Sequence, residues 1–103
     1  MKRFRVTLLE PAKAHIKEIA RWWRANRGER HRLPLEELRA AITGLAAFPD
    51  IGMAYRSRHR RGVRRLLLPR SQYWVYYEVD DEREEVRVLA VWRALRGKAP
   101  PLR

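Results

Sequence analysis

Phe4, Val6 and Leu8 alternate with Arg3, Arg5 and Thr7, the two-residue period of a strand with one buried face. The period then lengthens. Ala12, Ile16, Ile19, Ala20 and Trp23 recur at helical spacing and predict a helix from Ala12 to about Asn26. Pro11 suits its first turn, and Glu10 just ahead suits its positive end. Lys13, Lys17, Arg21 and Arg24 make a stripe on another face, expected to be solvated. Trp22 lies about 100° round the helix from Trp23, so the two cannot share one small core and one is a candidate for partner contact.

Arg27 to Arg32 is polar, contains Gly28 and reads as a loop. Pro34 opens a second helix with Glu36 and Glu37 in its first turn. Leu35, Leu38, Ala41, Ile42, Leu45 and Phe48 form its apolar face, and Pro49 ends it. After an arginine-bearing loop, Val63 to Leu68 and Tyr73 to Val79 are dense in β-branched, aromatic and large apolar side chains. They flank Pro69-Arg70-Ser71-Gln72, which is turn chemistry, so this stretch predicts an antiparallel hairpin. A turn at Asp80 to Glu84 leads to a last strand from Glu85 to about Ala94. Strict alternation places Val86, Val88, Ala90 and Trp92 on one face and Arg87, Leu89, Val91 and Arg93 on the other. Residues 95 to 103 hold Gly97 and Pro100-Pro101 and predict an extended, partly ordered tail. The order is βααβββ: an α+β fold of two layers, a helical hairpin packed on a mostly antiparallel four-stranded sheet, with residues 1 to 103 as a single domain.

Charge changes this picture. Between Asp50 and Glu78 there is no acidic residue, while Arg56, Arg58, Arg60, Arg61, Arg64, Arg65 and Arg70 all fall inside, so the central hairpin is fed by a cationic loop. The formal net charge is +12, which directs the surface to a polyanion or an acidic protein. Most of the basic residues are arginine, the side chain suited to bidentate phosphate or carboxylate contacts. The absence of cysteine excludes disulfides, thiolate metal sites and a Cys nucleophile. The early, repeated charge of MKRFRVTLLEPAK is unlike a secretory signal, and no apolar run approaches the roughly 20 residues of a membrane span. A cytoplasmic protein without membrane partners is the expectation.

No glycine-rich phosphate loop, paired histidine ligands or Ser/His/Asp set is visible, so neither metal nor cofactor is expected. His15 and His31 read as surface histidines. His59 sits among arginines that would lower its pKa, and a neutral imidazole beside cations could act as a base in phosphoryl chemistry. Along the aromatic strand, Tyr73, Val75 and Tyr77 face one way, toward the helices, and Trp74, Tyr76 and Glu78 the other. The second face is uncovered in a two-layer fold, which marks it for a partner.

The element order, the helix opening on Pro11-Ala12-Lys13 and the segment Leu45-Ala46-Ala47-Phe48-Pro49-Asp50-Ile51-Gly52 together resemble the RelE/ParE superfamily of type II toxins. So do the runs Val63-Arg64-Arg65-Leu66, Tyr73 to Val79 and Val88-Leu89-Ala90-Val91-Trp92-Arg93. The resemblance implies a small basic bacterial toxin neutralised by a cognate acidic antitoxin, for which Trp22, Trp74 and Tyr76 are candidate contacts.

Within that superfamily, RelE-like members cut messenger RNA on the ribosome with several cations converging on one phosphate. Here Arg65 occupies one such position, but Leu67 stands where a second is expected, Trp74 where an arginine would follow the tyrosine, and Arg93 where many relatives carry histidine. The pattern is closer to the ParE branch, which lacks that set and poisons DNA gyrase. The resemblance then implies no catalytic residues and assigns target binding to Arg64, Arg65, Arg93, Arg96 and Lys98. The alternative is a RelE-like endoribonuclease acting through Arg64, Arg65, Arg93 and His59, with ribosome and mRNA as partners.

Overall fold

The computed structural model of the chain describes residues 2–95 and 97–102. In order the elements are β1 (Arg5–Leu8), α1 (Glu10–Asn26), a short 3-10 turn (Gly28–Arg30), α2 (Leu33–Ala47), β2 (Met53–Ala54), β3 (Arg64–Leu68), β4 (Tyr73–Asp80) and β5 (Glu85–Arg93). Neither long helix has a side-chain N-cap. Each instead starts with a proline in its first turn and an acidic residue beside it, Glu10 or Glu36, so the missing proline N–H falls where no helical acceptor exists. The first ends ahead of Gly28, whose φ of 39° lies in the left-handed region, and the second stops at Phe48, before Pro49.

The sheet runs β1-β5-β4-β3-β2. β1 pairs parallel to β5, and the other neighbours are antiparallel. The two-layer α+β arrangement stands, with five strands in a mixed sheet instead of four. The addition is β2, two residues that pair Met53 with Arg65 and Ala54 with Arg64. Two residues carry no alternation, so a hydrophobic pattern cannot announce such a strand.

A second correction concerns β5. Its register against β4 shifts between Tyr76, opposite Ala90, and Tyr77, opposite Val88, leaving Leu89 as the extra residue of a bulge. An inserted residue reverses the parity of everything after it. Val86 and Val88 therefore share the helix-facing core with Val91, while Leu89, Ala90 and Trp92 lie on the opposite side.

The helices cover Leu68, Tyr73, Val75, Tyr77, Val86, Val88 and Val91 with Ala12, Trp23, Leu38 and Leu45. Trp23 is buried and donates its indole N–H to the Tyr73 hydroxyl at 2.9 Å. Trp22 is the exposed member of the pair, at 37%. The β3–β4 turn is fixed from below by Glu37 on α2, whose carboxylate accepts the backbone N–H groups of Arg70 and Ser71 (both 2.8 Å) and the Ser71 hydroxyl (2.5 Å).

The other sheet face is closed by the chain itself, contrary to the expectation of an uncovered face. Tyr76, Leu89 and Ala90 are buried against Val63 and Leu102, with Tyr55, Trp74 and Trp92 packed around them. The tail is extended as expected, but Pro100 and Leu102 are buried and it acts as a cover. Trp92 anchors it by donating its indole N–H to the Lys98 carbonyl at 2.8 Å.

Candidate functional site

Alternation along β3 decides how the hairpin arginines are presented. Arg64 is opposite Tyr77 and Arg65 opposite Tyr76, and these tyrosines belong to different cores, so the two arginines lie on opposite faces of the sheet. Arg64 is tied down locally: its guanidinium donates to the Gly52 carbonyl at 2.7 Å and sits 3.7 Å from the Asp50 carboxylate.

Arg65 occupies an aromatic box. Its guanidinium carbon lies 3.9 Å from the Trp74 ring centroid and 5.1 Å from that of Tyr55, and it donates a long 3.4 Å bond to the Tyr76 hydroxyl. Tyr55 in turn meets Tyr76 edge-on at 4.9 Å. Among the described residues Arg65 pairs with no carboxylate, and its buried Nε has no hydrogen-bond partner. It is a half-buried cation held by ring faces. Burial raises the Tyr76 phenol above the ordinary tyrosine range, with the Arg65 hydrogen bond pulling the other way. Burial raises that of Tyr77 too, against the hydrogen bond from Gly52. Neither phenol is poised to serve as a base near neutral pH.

Arg93 is at the far end of β5, opposite Tyr73 and therefore on the helix side. It is exposed, and its guanidinium lies 5.3 Å from the Trp22 ring, whose other cationic neighbour is Arg27 at 5.2 Å. With His15, Glu18, Ile19, Tyr73, Val91 and Trp92, Arg93 and Trp22 line a cavity of about 240 Å³ between α1 and the end of β5. Lys98, five residues beyond Arg93, is exposed, and Arg96 lies outside the described residues.

The expected basic set is thus divided. From the register, Arg65 and Arg93 are three residues apart along the strand direction, about 10 Å, two strands apart, and on opposite faces. Arg64 shares a face with Arg93 but pairs with Tyr77, four residues up β4 from Tyr73. His59 is exposed on the arginine loop, beside the cleft between that loop and the tail. The three arginines do not converge on one point. Of the candidate antitoxin contacts, Trp22 is exposed, Trp74 is half-buried under Arg65, and Tyr76 is buried beneath Tyr55 and Leu102.

Four features escape pattern analysis. Tyr55 is a lone aromatic in a cationic loop, yet it builds the Arg65 box. Leu102, at the end of the tail, covers Tyr76. Glu37 reads as one more acidic residue of a helix start, though it holds a turn 33 residues away. His15 is half-buried instead of superficial: its Nδ1 takes the Val91 N–H at 3.3 Å, beyond the point where β1 has ended, and its ring meets Trp92 at 5.2 Å.

At the other end of the sheet the charges are self-compensating. Arg87 bonds Glu78 (3.1 Å), Asp80 (3.3 Å) and Glu85 (3.0 Å), and Arg60 reaches Glu78 at 2.8 Å. The carboxyls of Asp80 and Glu85 are held below their usual values, the first chiefly by the backbone N–H of Arg83 and the second by the Thr7 hydroxyl. Among the described residues no group of three or more His, Asp or Glu side chains could hold a metal ion, and no helix is long and apolar enough to cross a membrane.

The comparisons agree with this architecture. Residues 6–96 match the model of the ParE toxin of the type II toxin-antitoxin system parDE, and the chain belongs to that family. It is similar in structure to the chromosomal ParDE toxin-antitoxin system of Pseudomonas aeruginosa, with a TM-score of 0.71 at 21% identity, covering 88% of this chain and 96% of that one. The RelBE2 toxin-antitoxin complex of Mycobacterium tuberculosis gives a TM-score of 0.64 at 23% identity over 91% and 95% of the two chains. The intact Escherichia coli RelBE complex gives 0.59 at 26% over 90% and 99%. No curated protein matches significantly by sequence. The protein is a toxin of the ParE family of type II toxin-antitoxin systems.

Proposed function

We propose that this toxin acts as ParE-like proteins do, by gripping a type II topoisomerase, with DNA gyrase as the target, and that a cognate acidic antitoxin holds it inactive. The observation that carries this reading is the separation of Arg64, Arg65 and Arg93 across two sheet faces and, for Arg65 and Arg93, about 10 Å along the strands. Phosphodiester cleavage by positioned cations requires several of them aimed at one transition-state phosphate. Here one is bound by its own loop, one is stacked in an aromatic box, and one is exposed beside Trp22. The family model supports the same branch. The antitoxin is supported by the neighbours whose structures are toxin-antitoxin systems and complexes, and by the net charge of +12, which favours an acidic partner.

The test is binding. The purified toxin is presented to isolated gyrase subunits and, separately, to 70S ribosomes at physiological salt. Retention by a gyrase subunit, lost when the antitoxin is added, is the expected result. Retention by ribosomes alone would shift the protein to the RelE-like reading.

A further inference from the structure

Lys13, Lys17, Arg21 and Arg24 are all exposed along one side of α1, as their spacing requires. Lys13 is paired with Glu10 at 3.1 Å. Among the described residues Lys17, Arg21 and Arg24 pair with no carboxylate, and neither do Arg32, just ahead of α2, and Arg39 within it. This row of charge differs from the acidic end of the sheet, where Arg60 and Arg87 are neutralised inside the molecule.

The uncompensated charges meet in a groove. Arg24 from α1 faces Arg32 and Arg39 from the α2 side across an opening of about 430 Å³, which also holds Ala20, Leu35 and one carboxylate, Glu36. The connection that brings Arg32 here is held by its own hydrogen bonds: the Arg30 N–H donates to the Arg27 carbonyl at 2.8 Å, and His31 Nδ1 to the Gly28 carbonyl at 2.7 Å. A carbonyl only accepts, so His31 Nδ1 carries the proton and Nε2 is the nitrogen left for the groove, which His31 also lines.

What the groove lacks decides what it takes. The exposed large apolar side chains among the described residues are Trp22, Phe48, Ile51, Met53 and Leu95, and none of them lines it. Trp22 lies roughly 160° round α1 from Arg24. A protein partner is anchored by aromatic or aliphatic side chains in apolar pockets, and a single strand of nucleic acid by aromatic faces under its bases. Here the apolar surface is Ala20 and Leu35 alone. The phosphates of a duplex need only cations spaced along the backbone. Lys17 and Arg21 extend the row from Arg24 by about 10 Å, seven residues of helical rise.

We propose that α1 and α2 form a seat for the backbone of duplex DNA. Arg24, Arg32 and Arg39 hold phosphates in the groove, and Lys17 and Arg21 continue the contact along α1. The choice of DNA over an RNA duplex rests on the topoisomerase reading, whose target works on duplex DNA, and deepens it: the toxin grips the nucleic acid as well as the enzyme. Such contacts carry no base readout, so binding is independent of sequence.

The test titrates the full toxin, without gyrase, into a labelled duplex of about 20 base pairs and follows anisotropy from about 50 to 200 mM salt. With five cations engaged, log affinity should fall against log salt with a slope of about −4.5. Arg24→Gln with Arg32→Gln is expected to weaken binding by about tenfold or more and to flatten that slope by about 2. Arg56→Gln with Arg58→Gln removes the same charge from the loop after β2 and is expected to change affinity by less than about threefold. All four side chains are exposed, so circular dichroism and the thermal midpoint should match the parent. Equal loss in the two double variants would show diffuse attraction to a chain of net charge +12 and overturn the proposal. So would tighter binding of an RNA duplex or a single strand of the same sequence, or displacement of the duplex by polyglutamate of matched charge, which would assign the groove to an acidic protein. A toxin held by a gyrase subunit that fails to bind the duplex overturns this proposal alone. A toxin that binds the duplex through these arginines, yet is held by no gyrase subunit, supports the DNA seat and brings down the topoisomerase reading.

Discussion

Gly52 donates its backbone N–H to the hydroxyl of Tyr77 at 2.8 Å, and Tyr77 is completely buried. A side chain at position 52 has nowhere to go: a Cβ would stand 2.6 Å from the Tyr77 hydroxyl and 2.8 Å from the Arg65 carbonyl, one of them backbone that cannot yield. Gly52→Ala is therefore expected to destabilise the fold by about 2–4 kcal/mol, the range of overpacking combined with a broken buried hydrogen bond. Tyr77→Phe keeps the ring and strands one buried N–H, for a loss of about 1–3 kcal/mol. Urea denaturation of both variants checks the order.

Glu37 acts at a distance in sequence on the turn that sets the hairpin register. Replacing it with alanine removes the acceptor of two backbone N–H groups and one hydroxyl at Arg70 and Ser71. Charged acceptors of this kind contribute more than neutral ones, and Glu37→Ala is expected to cost about 2–3 kcal/mol. Glu37→Gln retains one acceptor oxygen and should recover part of that. Chemical denaturation with the denaturant slope held constant would measure both.

The acidic end of the sheet gives a pH dependence. The Asp80 and Glu85 carboxyls have lower pKa values folded than unfolded, so the unfolded chain binds protons that the folded chain does not. Their stabilisation is present above the unfolded values, near 4, and is lost as pH falls through the folded ones. Stability should stay level from neutral pH to about pH 5 and decline below about pH 4. Asp80→Asn with Glu85→Gln should lower neutral-pH stability and flatten that acid limb. Thermal melts across pH 2.5–7 follow the effect.

Arg93 separates function from folding. Its contact with the fold is the exposed stack on Trp22, a kind of interaction worth about 0.5–1 kcal/mol at the surface. Arg93→Ala with Lys98→Ala is expected to abolish growth inhibition on induction while the melting temperature moves by only a few degrees and antitoxin binding persists. An unfolded double variant would make these residues structural.

The long elements were legible because each carries several turns of helical period or several residues of alternation: both helices, the hairpin across Pro69 to Gln72 and the first and last strands lie within a few residues of their sequence-derived bounds. Trp23 inside and Trp22 outside follow from the helical angle alone. What stayed hidden depends on the third dimension. The bulge at Leu89 reverses one face of β5 without altering its composition, β2 is too short to have a period, and the burial of Tyr76 depends on Leu102, 26 residues away. The basic residues were individually visible, and alternation parts Arg64 from Arg65, but only the register shows how far Arg93 stands from either.

The central claim, that this toxin grips its target and does not cut RNA, is tested most directly in one comparison. Purified toxin is titrated into a gyrase supercoiling reaction and, in parallel, into ribosomes programmed with a defined mRNA whose ends are mapped. Loss of supercoiling at stoichiometric toxin, with the mRNA intact and activity restored by antitoxin, is the predicted result. Codon-dependent mRNA cleavage with supercoiling untouched would contradict it.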